Sequence, residues 1–272
     1  MRTTRTIAIV AALAVAVTAC LRISPQQETE MGTNYAQQIN AQLPIVRDPD
    51  VNAYINRLGD SLAVLVDDQG RNWRFSIVDD PDINAFAVPG GYIYVNKGLI
   101  MRAQNLSQLA GVIGHEIAHV TMRHSVERME KGRKVGVGAA LACILQPAIC
   151  QNGGGDLVNL GATAMMAKFS RGDEEEADRY GVKYAVRAGI DPRGMPEMFE
   201  IMLAEREKRN GGSGSFLASH PMEEDRIAAT RREIAALPPG TLTGLTRDTP
   251  GFQAFKARLR ALPQTPTPAG GR

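Results

Sequence analysis

Apolar positions recur along the chain with two periods. In "DPDVNAYINRLGDSLAVLV" Val51, Ile55, Leu58, Leu62 and Leu65 fall three or four residues apart, the spacing of one helix face, and Asp50 is placed to cap the start. In "WRFSIV" the period shortens to two, with Trp73, Phe75 and Ile77 alternating with Arg74 and Ser76, which predicts a strand. "DDPDINAFAVPGG" brings turn residues, and "YIYV" reads as another short strand. A helical stretch then runs from about Leu99 through several histidines to the basic "EKGRK".

Further helices follow in "SRGDEEEADRYGVKYAVRAG", stopped by Gly189 with Pro192 beyond, from Pro196 onward, and in "SHPMEEDRIAATRREIAAL". Between the first of these and the histidines, Gly136 to Cys150 is apolar and "QNGGGD" is a loop; the 136–155 segment reads as core packing, as a flap near a cleft or as a segment resting on the membrane. The pattern predicts an α+β domain over residues 34–237, mostly helical with a small sheet. Residues 238–272 are rich in Pro, Gly and Thr and read as a tail with one short amphipathic helix, "FQAFKARLRAL", and a disordered end.

A chain of 272 residues, 44% hydrophobic, is long enough for one sizeable core. Its first residues are of another kind. "MRTTRTIAIVAALAVAVTAC" has a basic start and an apolar run from Ile7 to Ala19, too short to span a bilayer and suited to a secretory signal over residues 1–19. "VTAC" resembles a bacterial lipobox. That likeness implies that Cys20 is acylated, that residues 20–33 tether the domain to lipid, and that the protein faces the periplasm of a Gram-negative bacterium from the outer membrane. Without the signal, Lys plus Arg equals Asp plus Glu at 29 each, and nothing in that balance favours nucleic acid. In an oxidising compartment Cys143 and Cys150 read either as a disulfide closing a short loop or as two buried thiols.

The candidate chemistry lies in "GVIGHEIAHVTMRH". His115 and His119 are four residues apart, about 40° on a helix wheel, so both imidazoles can converge on one ion. Glu116 is adjacent, as in the HExxH zinc pattern, where the glutamate is the general base. The flanks are small and apolar, so polar groups here would be buried and in need of a partner. His124 falls about 180° from His115 on a continued helix, which excludes it as a ligand unless the helix breaks and leaves a surface or supporting role. A further ligand must come from elsewhere, and "SRGDEEEAD" offers Glu174, Glu175, Glu176 and Asp178. Of these, Glu174 and Asp178 share one helix face, suited to a ligand carboxylate and a second carboxylate gripping a ligand imidazole.

Taken together, "NAFAVPGGYIYVNKGLI", "GHEIAHVTMRH", "SRGDEEEAD" and "SHPMEEDR" resemble the zinc metallopeptidase family that includes the CAAX prenyl protease, the membrane protease HtpX and the periplasmic BepA and LoiP. The likeness runs from about Thr33 to Leu237. It implies a gluzincin-like metalloprotease domain with a small sheet lining the cleft and one zinc ion per chain. His115, His119 and Glu174 would be the ligands, Glu116 the base and Asp178 the support of a ligand. It also brings in His220 of "ASHPMEEDR", as a latency ligand at the open zinc position or as an oxyanion donor, with Arg226 pairing to a nearby carboxylate.

The expected reaction is zinc-dependent endopeptidase cleavage of misfolded outer-membrane or periplasmic proteins. Substrate would add as a strand to Asn84, Ala85, Phe86 and Ala87, unless these form only an ordinary hairpin. The absence of transmembrane helices after the signal and of a long repeat domain points to the compact lipoprotein type, similar to LoiP. The other reading is a chaperone-like or scaffold protein of outer-membrane assembly with a latent zinc site. Against the scaffold stands Glu116, since structure alone needs no base.

Overall fold

The computed structural model describes residues 22–132, 168–208, 216–221 and 224–268. Cys20, Cys143, Cys150 and the 136–155 segment lie outside the described residues. Helix α1 (Pro25–Gln42) starts from Ser24, whose side chain and that of Gln27 cap each other's backbone. Residues from Pro25 onward are thus part of the fold, which corrects the tether read to Thr33. Tyr35 and Ile39 lie on the sheet residues Val78, Val88 and Tyr94, and any side chain at Gly32 would collide with the Pro89 carbonyl.

Helix α2 (Pro49–Ala63) buries Val51, Ile55, Leu58 and Leu62 as its spacing predicts. Asp48 caps it rather than Asp50, since Pro49 takes the first helical position, and Leu65, beyond the helix end, is exposed. Strands β1 (Arg74–Val78), β2 (Ala85–Val88) and β3 (Tyr92–Asn96) form a sheet of order β1-β3-β2. β1 runs parallel to β3, and β2 antiparallel to it. The β2–β3 turn needs Gly90 and Gly91, both at positive φ (83° and 99°). β2 has a strand neighbour on one side only, among the described residues.

The stretch read as one helix from Leu99 is three pieces. α3 (Lys97–Arg102) ends before Asn105, which caps α4 (Leu106–Thr121). α4 is buried on every face from Leu106 to Val120, the mark of a central helix. It ends at Thr121, Arg123 follows as a non-glycine residue with φ 59°, and residues 124–132 form a separate helical run. α5 (Arg171–Arg187) and α6 (Gly194–Lys208) pack on α4, and α7 (Glu224–Ala235) packs on α5 and α6, with a single turn at Phe216–Ser219. Among the described residues no helix is long and apolar enough to cross a membrane.

Residues after Leu237 are not a tail. Helix α8 (Pro250–Ala261) buries Phe252, Phe255 and Leu259 in the main core, its apolar positions meeting α2 and α3. The approach to α8 also closes the N-terminus of α4. The Leu106 and Ser107 amides donate to Asp248 Oδ1 and the Arg247 carbonyl at 3.1 and 2.9 Å, which satisfies donors a helix start leaves open. The buried Lys256 ammonium donates to the Ala103 carbonyl. Beyond the helix the Thr265 amide still donates to Asp79, where a disordered end was expected.

Three buried side chains at about 1.5–3 kcal/mol each are a large part of a domain's roughly 5–15 kcal/mol. A chain ending at Leu237 is therefore expected to lose its cooperative thermal transition. Circular dichroism would check this, and a truncated chain melting within a few degrees of the parent would contradict it.

Candidate metal centre

Helices α4 and α5 cross with their backbones in contact. A Cβ on Gly181 would lie 3.1 Å from the His115 amide nitrogen, and one on Gly114 would lie 3.3 Å from the Gly181 carbonyl oxygen. That approach brings His115 and His119 of one helix to Glu174 and Asp178 of the other. His220 enters from the turn before α7, and Glu116 from α4 itself. All of these side chains are buried.

His115, His119, Glu174 and His220 present donor atoms within 4.8 Å of one another. His115 Nε2 lies 3.0 Å from His119 Nε2 and 3.5 Å from Glu174 Oε2. His119 Nε2 lies 3.4 Å from Glu174 Oε1, and His220 Nδ1 lies 3.3 Å from His115 Nε2 and 3.0 Å from Glu174 Oε1. For zinc–donor bonds of about 2.0–2.1 Å the edge of a tetrahedron is about 3.3–3.4 Å. The distances between these donors, 3.0–3.5 Å, fall near that edge length.

Proton bookkeeping gives the same result. Asp178 Oδ1 lies 2.9 Å from His115 Nδ1, and Asp178 is itself held by Arg226 through Nε and Nη2 at 2.9 and 2.8 Å. A carboxylate so paired accepts, so His115 carries its proton on Nδ1 and presents a lone pair at Nε2. Burial pushes His115 and His119 down, toward the neutral form. His119 turns Nδ1 to His124 Nδ1 at 2.9 Å, and its Nε2 faces that of His115. Two imidazole nitrogens at 3.0 Å, joined by a carboxylate, form a site for a cation, and this nitrogen and oxygen set fits zinc.

Glu174 Oε2 also lies 2.6 Å from Arg226 Nη1, in ion-pair contact but outside hydrogen-bond geometry. Burial works to raise the Glu174 carboxyl. The nearby His220, His119 and His115 imidazoles outweigh it, and the carboxyl is held below its usual range. Glu116 goes the other way: burial pushes it up to about 7, although the Ala87 backbone N–H donates to it. Its Oε1 has no hydrogen-bond partner and lies 3.4 Å from His220 Nε2. Burial lowers His220, but Glu116 and Glu174 on its two sides outweigh that and raise it.

Aromatic rings close the centre. His220 stacks on Phe216 with centroids 4.2 Å apart, and Phe169 covers His119 at 3.8 Å. The Arg128 guanidinium lies 3.6 Å from the centroid of the Phe169 ring. Neither phenylalanine was singled out from sequence; each is a lone aromatic beside a helix cap or a His-Pro step, with no periodic signal. Of the strand residues expected to meet substrate, Ala85 and Ala87 lie on β2, and Asn84 just before it has a buried Oδ1 without a partner. Phe86 turns to the other face and stacks on Tyr94 at 5.0 Å.

The profile of Peptidase family M48 matches residues 49–234. The chain is 34% identical over 219 residues to a putative beta-barrel assembly-enhancing protease of Vibrio cholerae, covering 78% of this chain and 45% of that protein. It is 33% identical over 223 residues to the beta-barrel assembly-enhancing protease of Escherichia coli strain K12, covering 80% and 46%. With the metalloprotease LoiP of the same strain it shares 28% identity over 222 residues, covering 79% and 83%. The chain thus spans about half the length of the first two relatives.

Arg226 is the buried cation that faces both Asp178 and Glu174. Replacing it by leucine leaves uncompensated charge in the interior and is expected to cost about 3–5 kcal/mol. Urea unfolding of metal-stripped protein measures this, and a loss below about 1 kcal/mol, the range of a surface pair, would contradict the assignment.

Proposed function

Because the chain belongs to Peptidase family M48, we propose that it is a zinc-dependent endopeptidase, with His115, His119 and Glu174 as the metal ligands. The observation that carries this reading is the position of Glu116. Its unpartnered carboxylate oxygen lies 3.4 Å from Nε2 of His220, the ring whose Nδ1 completes the donor set. A buried base beside the residue at the fourth position suits the activation of water, and a purely structural site has no use for it.

Zinc, when bound, lowers the pKa of water and polarises a peptide carbonyl. The chain's own residues do the rest. Glu116 takes a proton from the attacking water and hands it to the leaving amine. Asp178, paired with Arg226, keeps His115 in the tautomer that donates its lone pair. An extended peptide lies along β2, where the edge strand offers main-chain pairing and the Asn84 side-chain oxygen awaits a donor. Because Ala87 also donates to Glu116, strand and base are in register.

In the conformation described, His220 stands where the nucleophilic water belongs, and Phe169 and Phe216 flank it. The closed donor set supports a latent state, with His220 as its fourth ligand. It also favours the second reading, a chaperone-like or scaffold protein of outer-membrane assembly with an occluded site. Acylation at Cys20, a place on the periplasmic side of the outer membrane and misfolded envelope proteins as substrates complete the proposal.

Casein degradation with and without a chelator distinguishes protease from scaffold. The Glu116→Gln variant is expected to keep stoichiometric zinc and to lose cleavage by about 10²–10⁴-fold; retained proteolysis would overturn the role of the base. The His220→Ala variant is expected to cleave casein and itself faster than the parent. A loss of about 10²–10³-fold would make His220 an oxyanion donor instead, and unchanged rates would remove it from the mechanism.

A further inference from the structure

Once the ligands and the base are assigned, His124 is the one buried histidine without a role. On an uninterrupted helix it would point away from the centre. The break at Arg123 changes that. Arg123 takes φ 59°, a conformation that costs a non-glycine residue of the order of 1–3 kcal/mol. Its side chain is fixed on both sides, with Nε donating to Glu28 at 2.7 Å and Nη2 to the Ile23 carbonyl at 2.7 Å. The next residue, His124, is thereby turned back, 2% exposed, with its ring 4.9 Å from that of His119 in an edge arrangement.

The hydrogen-bond order admits one solution. His119 gives its Nε2 lone pair to the centre, so its proton is on Nδ1 and is donated to His124 Nδ1 at 2.9 Å. His124 accepts there and must carry its own proton on Nε2, which faces Glu176 Oε2 at 3.2 Å. The geometry points to His124 as the positioning residue of the metal ligand His119, itself oriented by Glu176. A ligand imidazole commonly donates to a carboxylate, a carbonyl or water. Here a second imidazole is the acceptor, and a half-buried carboxylate polarises it from the far side.

The arrangement accounts for the acidic run on α5. Glu174 is a ligand, Asp178 grips His115 directly, and Glu176 grips His119 through His124, while Glu175 pairs outward with Arg171. One helix thus sets the orientation of both histidines of the other.

This inference rests on the zinc reading above, and the test separates the two. Zinc affinity of the whole chain would be measured by chelator competition for the parent, His124→Phe, His124→Asn and Glu176→Ala. The absorption spectrum of the cobalt-substituted protein is the second readout. Phenylalanine fills the space without an acceptor and is expected to weaken zinc about 10–100-fold and to alter the cobalt spectrum. Asparagine restores an acceptor near the Nδ1 position and is expected to recover most of the affinity. Glu176→Ala is expected to give a smaller loss in the same direction.

Equal losses in the phenylalanine and asparagine variants, or none in any, overturn the assignment. If the phenylalanine variant does not fold, Glu176→Ala, on a half-exposed side chain, decides alone, and unchanged affinity there overturns it. A parent that binds no stoichiometric zinc sinks the metal reading itself, a different outcome from a parent that binds and variants that bind equally well.

Discussion

Two imidazole nitrogens and a carboxylate face one another in a space closed to water, and the interior tolerates that only around a positive charge. Much of the surrounding structure follows from this constraint. Asp178 sets the proton of His115 on the outer nitrogen, and the Arg226 guanidinium donates to Asp178 at that depth. The same guanidinium touches Glu174, so the acidic side of the centre is balanced even before an ion arrives. His220 lies between Glu174 and Glu116 and balances the other side. Buried charge of this density is costly unless each member has a partner, and here nearly all members do.

The helix pair carries the centre because its contact residues are small. Gly114 and Gly181 let two backbones touch beside His115 and Asp178, and the Met195 side chain fills the gap left at Gly181. Larger residues would move α5 outward and take Glu174 with it. Stability and chemistry therefore draw on the same contact, and α4, buried on all sides, has little freedom to adjust.

Much of the centre was legible in the chain itself, because ligand spacing on a helix is a local property. The four-residue interval of His115 and His119 and that of Glu174 and Asp178 each place a pair on one face whatever the rest of the fold does. The strands around Phe75 and Ile93 were legible for the same reason. What was hidden depends on tertiary contacts. Nothing in "VTMRHS" announces that Arg123 leaves the helix, since the residues that hold it, Glu28 and Ile23, lie about a hundred positions away. Residues 250–261 look like a minor amphipathic piece until they cover α2 and α3. The polar run from Pro25 hides a helix because its fully buried positions are Glu28, Gly32 and Ala36, which give little apolar periodicity, while Tyr35 and Ile39 pack on the sheet only partly buried.

The early start of that first helix limits reach. Only five residue steps separate Cys20 from Pro25, at most about 17 Å of chain at about 3.5 Å per step. If a lipid is attached to that cysteine, the domain is held against the bilayer like a boat on a short mooring. α1 also lies on the turn that follows β2, so that turn would sit close to the membrane plane.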